Sequence, residues 1–117
     1  MTNFTPDNND LEQIKTPDKK QEVINALKEG KENAQELLRA LIMEKENEVK
    51  KSADPATAAI ELNVYRARLY FEVGTDDALA ESLNDYEDAI EQALNEGKEE
   101  LANQIMSERT KYFGEWN

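Results

Sequence analysis

Apolar residues recur along this chain at the spacing of a helix, and they alternate as in a strand over no more than a few positions. Val23, Ile24 and Leu27 give the first apolar face. Ahead of them Thr16 stands as a cap and Pro17 takes the first helical position, where a missing N–H costs nothing. Gly30 marks the end of this segment or a kink in it. Ala34, Leu37, Leu38, Leu41 and Ile42 form a second stripe, which Val49 extends, in a helix expected over 31–51. Residues 44–48 are polar on every side, so this end is expected to project into water, with Glu46 paired to Lys50 one turn on.

Asp54-Pro55 repeats the logic of a cap followed by a first-turn proline. The third helix then runs to Val73, where Gly74 stops it. It is apolar on two sides. Ile60, Val64, Ala67 and Phe71 form one stripe, and Leu62, Tyr65, Leu69 and Val73 the other, which predicts a helix packed on both faces. Thr75 caps the fourth helix, and Asp76 and Asp77 sit in its first turn, where the helix dipole favours negative charge. Its stripe of Leu79, Leu83, Tyr86, Ile90 and Ala93 is spaced 4, 3, 4, 3, a seam suited to near-parallel packing of helices. Gly97 ends or bends it. The fifth helix, about 98–112, turns Leu101, Ile105 and Met106 inward and is followed by the aromatic residues Tyr112, Phe113 and Trp116.

The fold class is therefore all-α: about five helices in antiparallel hairpins, arranged as a helical bundle or an α-solenoid fragment. Residues 1–15 read as a flexible N-terminal tail, and 16–117 as a single helical domain.

Two internal patterns add to this. Ala26-Leu27-Lys28-Glu29-Gly30-Lys31-Glu32 returns 67 residues later as Ala93-Leu94-Asn95-Glu96-Gly97-Lys98-Glu99. The shared order of helix, glycine and helix describes a helical hairpin used twice, although these residues are also the common vocabulary of helices. The stretch from Ile60 to Ala93 resembles a tetratricopeptide repeat. Ala67, Tyr70, Phe71 and Gly74 fall where the first repeat helix wants a small residue, aromatics and a closing glycine, and Tyr86, Ala89 and Ile90 follow as in the second. Arg66 departs from the family's preferred Leu, and no proline closes the repeat. The resemblance implies a TPR-like hairpin that binds a peptide or a partner protein on a concave face, which Tyr65 and Tyr70 would line.

Composition narrows the chemistry. Among 117 residues there is no Cys and no His. Disulfides, thiolate nucleophiles, the usual Ser-His and Cys-His arrangements and Cys/His zinc sites are thereby excluded. A di-iron bundle needs His ligands, and no calcium loop is in place, so neither cofactor nor metal is expected. Carboxylate-only catalysis would need a cleft that nothing here predicts, and the chain is read as non-enzymatic. With 26 acidic and 14 basic residues the net charge is −12, which disfavours direct contact with nucleic acid or an anionic membrane and favours a basic partner. No apolar run is long enough for a membrane span, and the N-terminus lacks the pattern of a signal peptide, so a cytoplasmic protein is expected.

Three groups of residues stand out as candidates for a site. Asp77, Glu81, Asp85 and Asp88 recur at spacings of 4, 4 and 3 on the fourth helix, on the side away from its apolar seam. Neighbouring carboxylates in such a row stand about 5–6 Å apart, comparable with phosphates along a strand, although a solvated helix face has the same pattern. Arg66 and Arg68 interrupt the apolar third helix and are expected to form ion pairs at the core edge, for example Arg68 with Glu72, rather than a clamp for a partner's carboxylate. Trp116 is the aromatic best placed to reach a partner. The function expected is a non-enzymatic protein–protein interaction module: an adaptor, a small chaperone or a regulatory or inhibitory subunit, acting as a monomer or weak homodimer. The alternative is an acidic mimic of nucleic acid that blocks a basic DNA- or RNA-binding protein, since small acidic helical chains resemble, in composition, inhibitors of that kind from phages.

Overall fold

Local backbone chemistry starts and stops each helix. The computed structural model describes residues 15–114, all five elements are helices, and no strand occurs among the described residues. They are α1 (Lys15–Glu29), α2 (Ala34–Lys50), α3 (Pro55–Val73), α4 (Asp76–Asn95) and α5 (Glu99–Phe113). The expected tail lies outside the described residues except for Lys15, which is already helical, so Thr16 falls within α1 and not ahead of it.

The expected caps form. At α3 the Asp54 carboxylate accepts the Thr57 N–H at 2.7 Å, and this bond holds its carboxyl below the ordinary value. Pro55 follows in the first turn, and Gly74 closes the helix in the left-handed region at φ 78°. At α4 the Thr75 hydroxyl accepts the Ala78 N–H at 3.2 Å.

The internal echo is one turn made twice. Lys31 N–H reaches back to the Ala26 carbonyl at 3.0 Å and Gly30 N–H to that of Leu27 at 3.3 Å. Lys98 and Gly97 repeat both bonds, to Ala93 at 2.8 Å and to Leu94 at 3.0 Å. Gly30 and Gly97 sit at φ 68° and 74°, which an L side chain tolerates poorly. Together these are the two hydrogen bonds of a Schellman turn, and the heptad Ala-Leu-x-Glu-Gly-Lys-Glu encodes it.

The chain divides into two compact units, Met1–Leu41 and Ile42–Asn117, with the boundary inside α2. In the first, Val23, Ile24, Ala26, Ala34, Leu38 and Leu41 are buried. In the second, α3, α4 and α5 run up, down and up. Antiparallel α3 and α4 are matched by Asn63, which donates to Gln92 at 2.9 Å, and by Ser82, which donates to the Ala67 carbonyl at 2.6 Å. The shared core joins Ile60, Val64 and Ala67 of α3, Tyr86, Ala89, Ile90 and Ala93 of α4, and Ala102 and Ile105 of α5. Ala67, Ser82 and Ala89 are fully covered, and such small residues let two backbones approach until a serine hydroxyl reaches across to a carbonyl. On its opposite side α3 also buries Ala58, Leu69 and Val73, whereas Leu62 and Tyr65 of the expected second stripe are only half-buried.

One network, exposed at Arg68 and half-buried at Glu108, ties the far end of this unit together. Arg68 donates through Nε and a terminal nitrogen to both oxygens of Glu108, at 2.7 and 2.8 Å, and the Tyr86 hydroxyl donates to the same carboxylate at 2.7 Å. Arg68 thus reaches across to α5 and takes Glu108, not the expected Glu72, as its carboxylate. Phe71 stacks against Tyr112 with ring centres 4.6 Å apart and meets Phe113 edge-on at 5.4 Å. Phe113 is half-buried against the core, whereas Tyr112 is exposed.

Candidate functional site

The α3–α4 contact is lined by small residues, and this sets how α4 is rotated. Its buried residues are Ala78, Ser82, Asp85, Tyr86, Ala89, Ile90 and Ala93, while Leu79 and Leu83 of the expected seam are only half-buried. Each residue advances the helix by about 100°, so a step of four carries a row about 40° further round. Two such steps from Asp77 through Glu81 move Asp85 to the margin of the buried arc, and the step of three returns Asp88 to the solvent side. Asp77, Glu81 and Asp88 are exposed, and Asp85 is buried with its side chain 7% exposed. The expected continuous acidic row is therefore broken at Asp85.

Asp85 faces Arg66 of α3. The guanidinium Nε lies 3.7 Å from Oδ2, close enough for an ion pair and too far for a hydrogen bond. Oδ2 is the one buried side-chain oxygen or nitrogen without a hydrogen-bond partner among the described residues. Burial raises the carboxyl from 3.8 to about 6, against the lowering effect of Arg66 and with the repulsion of Glu81 and Asp88 adding to it. Tyr70, buried on α3, senses the same charges: desolvation pushes its phenol up, and Arg66 draws it back.

Over these groups lies a shallow, open depression of about 740 Å³ that spreads across the outer face of α4. Its acidic side carries Glu81, Asp85, Glu87, Asp88 and Glu91, five carboxylates against the two guanidinium groups of Arg66 and Arg109, a formal charge of −3. Arg109 donates to Glu87 at 2.9 Å, so both cations already face a carboxylate of α4. Ile90, Met106 and Leu94 supply an apolar strip beside the acids, and Leu94 is 50% exposed.

No family model matches this chain, and no curated protein or solved structure matches it either. The reading of the site rests on its own geometry.

Of the residues singled out in the sequence, Tyr70, Glu81, Asp85 and Asp88 come together here, with exposed Asp77 further towards the start of the same helix. Tyr65 does not join them. It sits half-buried in a separate groove between α3 and α5, under the Lys45 ammonium at 5.1 Å, and burial with the charge of Glu48 raises its phenol. Trp116 lies outside the described residues. Residues 44–48 are partly covered, since Lys45 and Glu46 are half-buried, while the expected pair of Glu46 and Lys50 forms at 3.2 Å. Sequence reasoning missed Glu87, Glu91, Leu94 and Arg109, and read Met106 only as a core residue. The 67-residue echo had touched Leu94, but only the turn made it visible as a helix-end residue left outside the core. Among the described residues no group of three His, Cys, Asp or Glu side chains is arranged to hold a metal ion, and no helix is long and apolar enough to cross a membrane.

Proposed function

We propose that the chain is a non-enzymatic protein-interaction module whose outer α4 face receives a basic segment of another protein. The observation that carries this reading is the composition of that face: five carboxylates around two arginines that already face acids of α4, next to an apolar strip of Ile90, Leu94 and Met106. A lysine- or arginine-bearing segment with apolar residues between its charges complements both halves. The chain's net charge of −12 would steer such a partner towards it. The alternative of a nucleic-acid mimic draws less support, because burial of Asp85 leaves Glu81 and Asp88 about 10 Å apart along the helix, with a gap where a phosphate-like charge should stand.

The test is affinity capture with the full chain and with a Glu81→Lys/Asp88→Lys variant, side by side at low and high salt. Retention of a basic protein by the wild type, weakened by salt and lost with the variant, is the expected result. Equal retention by both proteins would place the interaction elsewhere.

A further inference from the structure

A buried carboxylate oxygen without a donor is rare, because desolvating it costs energy that only a hydrogen bond or a close counter-charge offsets. Asp85 Oδ2 has neither in full: it receives no hydrogen bond, and its counter-charge stands back at 3.7 Å on an arginine whose side chain is 39% exposed. Asp85 also lines the depression on α4, with exposed Glu81 and Asp88 one turn to either side. The three carboxylates are not placed to hold a metal ion. A side-chain ammonium or guanidinium differs from a metal ion in two ways: it brings several directed N–H donors, and it can enter along its own apolar stem. The Arg66 side chain is partly exposed and stands beyond hydrogen-bond distance of Asp85, and a stem with several rotatable bonds lets such a side chain yield its place there.

We infer that Asp85 is the seat for one Lys or Arg side chain of the basic partner, which displaces Arg66 and gives Oδ2 the hydrogen bond it lacks, while Glu81 and Asp88 hold the same cation from the rim. This rests on the reading that the α4 face binds a basic segment, and it adds which residue carries the affinity. The charged and titratable groups facing Asp85 are Arg66 and Tyr70 from α3 and Glu81 and Asp88 along α4, with the Glu87–Arg109 pair on the α5 side of the same depression.

The experiment titrates fluorescein-labelled hexalysine with the full chain at low salt and reads anisotropy. Asp85→Asn keeps the shape and removes the charge, and circular dichroism verifies its fold. It is expected to weaken binding about tenfold or more, as for loss of a desolvated charge partner, whereas Glu81→Gln or Asp88→Asn weakens it about two- to fivefold. Arg66→Met, which removes the internal competitor, is expected to tighten binding. Wild-type affinity should fall as pH drops through about 6, and that fall should vanish in Asp85→Asn. If Asp85→Asn loses no more than the rim variants, or Arg66→Met weakens binding as much as Asp85→Asn does, the seat is wrong and the acidic face still binds. If wild-type hexalysine does not bind at all, the reading of the face fails and the seat fails with it.

Discussion

Asp85→Asn should stabilise the fold at neutral pH and leave it unchanged in acid. The folded carboxyl stands at about 6 against 3.8 for an ordinary aspartate. Between those values the folded state binds more protons than the unfolded one, so stability declines as pH rises through this window and stays low above it. Two units of difference correspond to about 3 kcal/mol. The open depression and the partly exposed Arg66 side chain let solvent screen the charge, which brings the expected gain to about 2 kcal/mol. The neutral amide avoids that cost at every pH. Urea unfolding followed by circular dichroism at pH 7.5 and at pH 3.5 measures it: the variant's midpoint should lie above the wild type's at pH 7.5 and coincide with it at pH 3.5. A variant destabilised equally at both pH values would refute the reasoning, because Asp85 would then be a structural partner of Arg66 and not a charge held at a cost.

Four further outcomes follow from the same geometry. Glu108→Ala should destabilise the fold by about 2–3 kcal/mol, because it strands the buried Tyr86 hydroxyl and unties Arg68, as thermal unfolding would show. Since Arg68 holds the Glu108 carboxyl below 4.5, this contribution is present above that pH and fades as pH falls below it, so the gap between wild type and variant should narrow in acid. Gly30→Ala and Gly97→Ala should each cost about 1–2 kcal/mol in denaturant titrations, for the same reason in both turns: the left-handed φ, with no atom within 4 Å to clash. Ala67→Leu, at the fully covered α3–α4 contact, should cost about 1–3 kcal/mol by overpacking and break the Ser82 hydrogen bond, which crosses there.

The helices were legible in the sequence because their signals are local. Asp54-Pro55, Thr75, Gly74 and Gly97 mark starts and stops that depend on a few neighbouring residues, and all of them act as read. The rotation of α4 was not legible. Large apolar residues dominate a periodicity reading and pointed to Leu79 and Leu83, whereas Ala78, Ser82 and Ala89 set the close contact by their small size. With the helix turned that way, Asp85 passes from an exposed row into the wall of the α3–α4 contact. Arg68 escaped for a related reason. Spacing along one helix can propose Glu72 as its partner, but Glu108 stands 40 residues away on another helix, and only packing brings them together. The candidate site was therefore half visible. Glu81, Asp85 and Asp88 were read from the sequence, while Glu87 and Glu91, the unpaired buried oxygen and the apolar strip of Leu94 and Met106 came from the fold.

Where a basic ligand lands is the most direct test of the account. Amide chemical-shift mapping by NMR, with the full chain at low salt and hexalysine added stepwise, reads this residue by residue. The account predicts perturbations concentrated at Arg66, Tyr70, Glu81, Asp85 and Asp88 and saturating together. Shifts spread evenly over the acidic residues of all helices, or gathered around Tyr65 and Glu61 in the α3–α5 groove, would contradict it.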